Sequence, residues 1–144
     1  MTADSSDVTR SESLTLAGAQ KVFDACLAKA NEMGLRFCIA VADPSGEPLI
    51  AARMDGAPRL SAGIAANKAY SVAGFGGMPT SGWWDTIKDE PSLVHGLTQT
   101  PRLVVFGGGV GIFVDKRLVG TVGVSGGSAE EDAEVAAAGA AAIG

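Results

Sequence analysis

Apolar positions in the first part of the chain recur at helical steps. Leu16, Ala19, Phe23, Cys26, Leu27 and Ala30 fall three and four residues apart, which places them in one stripe of an α-helix. The spacing predicts a helix over residues 15–33, with Thr15 as N-cap and Gly34 as the left-handed residue beyond its end. The pattern then changes. Apolar runs at 36–42 and 49–54 flank Asp43-Pro44-Ser45-Gly46, a type I turn signature, so a β-hairpin is expected. Pro48 has no N–H to give to a sheet ladder and places the second strand at an edge. Helical spacing returns over 58–73, where Leu60, Ile64, Ala65, Ala69 and Val72 share a face and Lys68 borders it.

Residues 74–101 interrupt the periodicity with Gly76, Gly77, Pro79, Pro91 and Pro101 and read as irregular, except for a short helix over 81–88 that carries Trp83 and Trp84. From residue 102 the pattern is β. "RLVVFGG", "GIFVD" and "LVGTVGVSGG" read as three strands, with Asp115-Lys116 as a hairpin turn. The last segment, 128–143, reads as a helix capped by Ser128, with Glu130, Glu131 and Asp132 favouring its positive end. The order is α-β-β-α-(α)-β-β-β-α. Strands follow strands, so the expected class is α/β of the α+β kind, a largely antiparallel sheet flanked by helices.

Length and charge narrow the function. The 144 residues fit one domain, expected over 14–144 after a polar, disordered tail at 1–13. The opening "MTADSSDVTRSES" has no apolar stretch of the kind a secretory leader needs. No apolar run approaches the ~20 residues of a membrane span. A cytoplasmic chain without a membrane partner is therefore expected. The net charge is −5 and no basic stripe is present, which argues against a nucleic-acid partner. Cys26 and Cys38 sit in apolar patterns and read as buried thiols. A metal site would need more ligands, and none is expected.

Two glycine clusters raise the question of a phosphate cradle: "VVFGGGVGIF" at 104–113 and "VSGGSAEED" at 124–132. A dinucleotide fingerprint counted from Gly107 would need a third glycine where Ile112 stands, and a helix where a strand follows. The second cluster does lead into a helix N-terminus, but three acidic side chains crowd that turn. Tight turns and close backbone approach explain these glycines better. Close approach still leaves room for a flat ligand or a neighbouring subunit.

The candidate chemistry is sparse. His95, the sole histidine, suits a general acid or base or an axial ligand, and equally an exposed loop position. Arg53 and Asp55 lie two apart at a strand end, and Lys68 comes from the next helix. Together they form either a carboxylate-binding set, with Lys68 as a base if burial lowers its pKa, or an ion-pair network tying hairpin to helix. Thr80 and Ser81 suit a helix cap. Met78 is either soft packing or an axial sulfur, with packing preferred. Adjacent Trp83 and Trp84 cannot both face one way, so one belongs to the core and the other to a pocket or a subunit contact.

"LTLAGAQKVFDACLAKANEMG", "ADPSGEPLIAARMDGAP", "IAANKAYSVAGFGGMPTS" and "FGGGVGIFVDKRLVGTVGVSGGSAEEDAEVAAAG" together resemble the haem-degrading/GlcG-like family (HbpS-like, DUF336). The resemblance covers about residues 14–143. It implies a five-stranded antiparallel sheet with helices packed against it. It also implies self-association into a tetramer or octamer, and a small ligand: haem, a corrinoid or a small organic acid. It does not fix the cofactor, with haem among the candidates. In the family the segment matching "MPTS" lines the ligand pocket, which makes Thr80 a candidate contact. The sequence here, "FGGMPTSGWW", departs from the family pattern by an extra glycine and the paired tryptophans, which would narrow a haem slot. The resulting expectation is a small-ligand-binding protein with Arg53, Asp55, Met78, Thr80, Trp83, Trp84 and Gly107, Gly108 and Gly109 at the ligand. The alternative is an enzyme without a redox cofactor, using Lys68 or His95 for acid–base chemistry on a small catabolic intermediate.

Overall fold

The computed structural model of the chain describes residues 4–143; residues 1–3 of the expected tail and Gly144 lie outside the described residues. Residues 4–13 form no helix or strand and are exposed. Glu12 pairs with Arg117 at 2.8 Å, and the Leu14 N–H donates to the Val119 carbonyl at 2.8 Å, where the packed structure begins.

Helix α1 runs over Leu16–Met33, with the Thr15 hydroxyl accepting from the Gly18 N–H and Gly34 in the left-handed conformation at its end. Strands β1 (Cys38–Ala42) and β2 (Pro48–Arg53) form the expected hairpin. In its turn the Asp43 carboxylate accepts from the Ser45 and Glu47 N–H groups, and the Gly46 N–H closes on the Asp43 carbonyl. Helix α2 (Ser61–Gly74) follows, then a 3-10 turn at Thr80–Gly82 that leads into α3 (Trp83–Ile87). Helix α4 (Pro91–Leu97) stands in the stretch read as irregular. Proline lacks an N–H that the first helical turn does not use, so Pro91 opens this helix instead of breaking it. Strands β3 (Gly109–Val114) and β4 (Arg117–Ser125) turn through Asp115 and Lys116, both at positive φ, as a type I′ hairpin requires. Helix α5 (Ala129–Ala140) closes the fold, capped by Ser128 and Glu131 in a reciprocal capping box.

Among the described residues the sheet has four antiparallel strands in the order β2-β1-β4-β3, not five. The missing strand is the one expected at 102–108. Its backbone donors are taken before they can form a ladder: the Leu103 N–H by the Thr100 carbonyl at 3.2 Å, and the Val104 N–H by the Ser71 hydroxyl of α2 at 2.9 Å. Arg102 sits at φ 65°, which ends any extended run there. The segment is a strap held by a helix side chain. Among the described residues no helix is long and apolar enough to cross a membrane.

The two faces of the sheet differ because large and small residues alternate along the strands. Ile39, Val41, Val122, Val124 and Ile112 face α1 and α5, where they meet Val22, Cys26, Val135 and Ala136 in one buried cluster. Each such side chain contributes about 1.5–3 kcal/mol by burial. The other face presents Cys38, Ala40, Thr121 and Gly123 to α2. These residues let the helix lie almost on the sheet backbone. A Cβ at Gly123 would run into the Ala65 carbonyl, so nothing larger than glycine fits.

Candidate functional site

The close approach of α2 carries Lys68 into the protein. Lys68 and Asp132 occupy equivalent places on their helices. Ser61, Ala65, Lys68, Ala69 and Val72 are buried along α2, and Asp132, Val135, Ala136 and Gly139 along α5. A charge on each apolar stripe has one outlet, which is the other charge. The Lys68 ammonium donates to Asp132 Oδ2 at 2.9 Å and to the Val124 carbonyl at 2.8 Å, with the two side chains 0% and 4% exposed. Asp132 Oδ1 accepts from the Gly127 N–H at 2.9 Å. Burial pulls the Lys68 pKa down and pushes the Asp132 pKa up, each opposed by the bond between them.

Gly108 is the backbone cover of this pair. Its φ is 132°, its carbonyl accepts from the Val124 N–H, and a Cβ there would stand 2.5 Å from both Lys68 Nζ and the Val124 oxygen. The three central glycines therefore let the strap pass over a buried cation and enter β3. Thr80 is fully buried, and its hydroxyl accepts from the Gly109 N–H at 2.9 Å. Gly107 lies against the Ala129 carbonyl at the start of α5.

Outside this backbone cover lies a cleft of about 290 Å³. Trp84, Phe106 and Val105 form its apolar walls, Gly107, Ala129 and Ala133 its small floor, and Ser81 and Glu130 its polar rim. Trp84 is 59% and Phe106 50% exposed. The inner side of Phe106 covers Lys68, whose ammonium sits 5.0 Å from the ring centroid in a cation–π contact. The paired tryptophans part as expected. Trp83 is buried edge-on against Phe75 at 4.5 Å, and its indole N–H is the buried side-chain group left without a partner among the described residues. Met78 lies beside the 3-10 turn, next to Gly82, and does not line the cleft.

The structure does not gather the other sequence candidates here. Lys68 pairs with Asp132, and neither Arg53 nor Asp55 reaches it. Those two residues line a separate cleft of about 370 Å³ between α1 and β2. His95 is exposed on α4, and its side chain makes no hydrogen bond among the described residues. No group of three or more His, Cys, Asp or Glu side chains is placed to hold a metal ion among the described residues. Sequence reasoning passed over Asp132 and Phe106. It assigned Asp132 to the helix dipole, although Asp132, Val135, Ala136 and Gly139 follow the three- and four-residue steps of a buried stripe.

A glycine-faced antiparallel sheet with helices on both sides, a dry ion pair between the helix layers and an aromatic cleft beside it define a compact α+β architecture. The chain belongs to the HbpS-like family (haem degrading protein HbpS-like), whose family model matches residues 14–141. It is 38% identical over 121 residues to an uncharacterized 15.0 kDa protein of the dhaT-dhaS intergenic region of Citrobacter freundii, covering 83% of this chain and 84% of that one. The crystal structure of Klebsiella pneumoniae ORFY is similar, with a TM-score of 0.88 and 30% identity over 99% of this chain and 97% of that chain. So is that of PduOC in complex with haem, with a TM-score of 0.83 and 27% identity over 91% of this chain and 95% of that chain.

Proposed function

We propose that the chain binds a small ligand with a flat apolar face in the cleft walled by Trp84 and Phe106. The observation that carries this reading is the cleft itself, where two large aromatic rings stay exposed over a floor of glycine and alanine. Aromatic rings left in water at a concave site are kept for what they contact. Similarity to a haem-bound neighbour supports haem as the ligand, with a corrinoid or a small organic acid as the other choices. At about 290 Å³ the cleft is at the lower end of ligand sites, near 300 Å³. It fits the edge of a macrocycle or a smaller flat molecule. The lining offers no His, Cys or Met, so the residues suit the ring of haem and not its iron. Gly107 belongs to the floor, and Thr80, Gly108 and Gly109 support it from behind in this reading.

The acid–base alternative fits less well. Lys68 is enclosed behind Phe106 with both its bonds made inside, and His95 lies outside the cleft. Self-association into a tetramer or octamer belongs to the proposal too. Exposed Phe75, Phe113, Trp84 and Phe106, and two open sheet edges, offer apolar surface for it. A cytoplasmic setting fits the two buried, unpaired thiols Cys26 and Cys38.

Haemin titrated into the wild type should quench tryptophan fluorescence and shift the Soret band. Trp84→Ala and Phe106→Ala should each weaken binding at least about tenfold, or ~1.4 kcal/mol, while His95→Ala leaves the curve in place. Equal curves for all four proteins would remove haem from this cleft.

A further inference from the structure

We propose that the cleft between α1 and β2 is a second ligand site, one that takes a monoanionic amphipathic carboxylate such as an aryl or alkyl acid. This inference stands apart from the Trp84–Phe106 reading, since the two clefts share no lining residue.

The cleft exists because of a small residue on an edge strand. Ala52 lies opposite Ile39 in the hairpin register, so both face the α1 side of the sheet. The Ala52 side chain is too short to reach the helix above it. Phe23 and Leu27 of α1, with Ile39 and Met54, supply an apolar interior to a space of about 370 Å³. That volume suits a small molecule with one ring or a short chain.

The rim carries the selectivity. Arg36 and Arg53 stand there, and neither forms an ion pair with a carboxylate side chain among the described residues. Arg36 is held in place: it donates to the Asp55 carbonyl at 2.5 Å, and its stem lies against Gly56, with its other donors unbonded among the described residues. Arg53 stands at the lip, where this cleft meets a smaller one over Cys38 and Ala62. A guanidinium fork matches a carboxylate in two parallel hydrogen bonds. Asp55 shares the rim with Arg36, while Arg53, opposite Cys38 in the hairpin register, leaves on the α2 face and adds its charge from the lip. One negative charge on a ligand is thereby favoured and a second is opposed. Asn31 adds a neutral amide. In a chain of net charge −5, this local excess of positive charge is the feature that an anion with an apolar tail would find.

The test uses the whole chain, labelled with nitrogen-15, and phenylacetate as the probe. The amides of Asn31, Arg36, Ala52 and Met54 should shift and saturate. The neutral isostere 2-phenylethanol should bind at least tenfold more weakly. Arg36→Gln should weaken phenylacetate at least tenfold. Ala52→Leu fills the cleft and leaves Arg36 in place, so it should abolish the shifts in a protein whose remaining spectrum is unchanged. The proposal is overturned by acid and alcohol binding alike, by unsaturable shifts, by shifts centred on Trp84 and Phe106, or by Arg36→Gln or Ala52→Leu binding as the wild type does.

Discussion

Two clusters of opposite charges stand in this fold under opposite conditions. Lys68 and Asp132 meet in a dry interior, with two of the three ammonium donors and both carboxylate oxygens bonded at 2.8–2.9 Å and the Phe106 ring over the ammonium. Arg36, Arg53 and Asp55 gather on an open rim, where water reaches them all. The residue types are nearly the same, and burial separates their roles. In the interior a charge without its partner is intolerable, so the pair acts as structure. At the rim each charge is already solvated, so it adds little to stability and remains available to a ligand.

The strongest way to break this comparison is to remove one buried charge. Lys68→Met leaves the Asp132 carboxylate alone in the interior and should lower the unfolding free energy by about 3–5 kcal/mol, measured by urea denaturation. Adding Asp132→Asn, which keeps an acceptor for the Gly127 N–H, should restore most of that loss. A Lys68→Met protein as stable as the wild type would show that the interior is wetter than described. Gly108→Ala comes next. It places a methyl group 2.5 Å from Lys68 Nζ and the Val124 oxygen at φ 132°, and the Val124 oxygen is backbone that cannot swing away. The expected loss is about 1–3 kcal/mol, partly relieved in the Lys68→Met background.

Titration sharpens the contrast by its sign. Asp132 has its pKa raised by burial, so above the ordinary value of 3.8 the folded state holds a proton that the unfolded state has released. Stability from this group is full below that pH and falls as pH rises through the raised value. Lys68 has its pKa lowered. Between that lowered value and the ordinary 10.5 the unfolded state holds the extra proton, so stability rises with pH there. The difference in unfolding free energy between wild type and the Lys68→Met/Asp132→Asn double variant should therefore be smallest in the range where both groups are charged. A flat difference across the whole range would mean that burial does not govern the pair.

The sequence made the layers legible and hid the contacts between them. The helices over 15–33 and 128–143 and both hairpins could be read from periodicity, because each buries a simple stripe or face. The strap at 102–108 could not. It is as apolar as a strand, and the choice was made by the Ser71 hydroxyl and the turn at Arg102, which no local pattern announces. Helix α4 was missed because Pro91 was read as a breaker, although it stands at the first position, where proline is tolerated. The site was harder still. Lys68 was visible as an oddity on an apolar face, but its partner is 64 residues away, and Asp55, much nearer in sequence, looked the better match.

The smallest expected effect tests the rim. Asp55→Asn removes the lone carboxylate beside Arg36 and Arg53 and leaves intact the Asp55 carbonyl to which Arg36 donates. The side chain is exposed, so the unfolding free energy should move by no more than about 0.5 kcal/mol. Ligand binding should respond in the other direction. Two unit charges 4 Å apart in water interact by about 1 kcal/mol, and a carboxylate in the cleft would sit somewhat farther from Asp55 than that. Removing the repulsion should therefore tighten phenylacetate about two- to threefold, well short of the tenfold that ~1.4 kcal/mol would give. The neutral 2-phenylethanol should not respond at all. Because the interaction crosses solvent, the gain should fade as salt rises and the screening length drops to roughly 3 Å at 1 M. A gain that persists in high salt would place Asp55 inside a closed site, and a loss of stability would make it a structural partner like Asp132. Either result would remove the distinction between the dry pair and the wet rim.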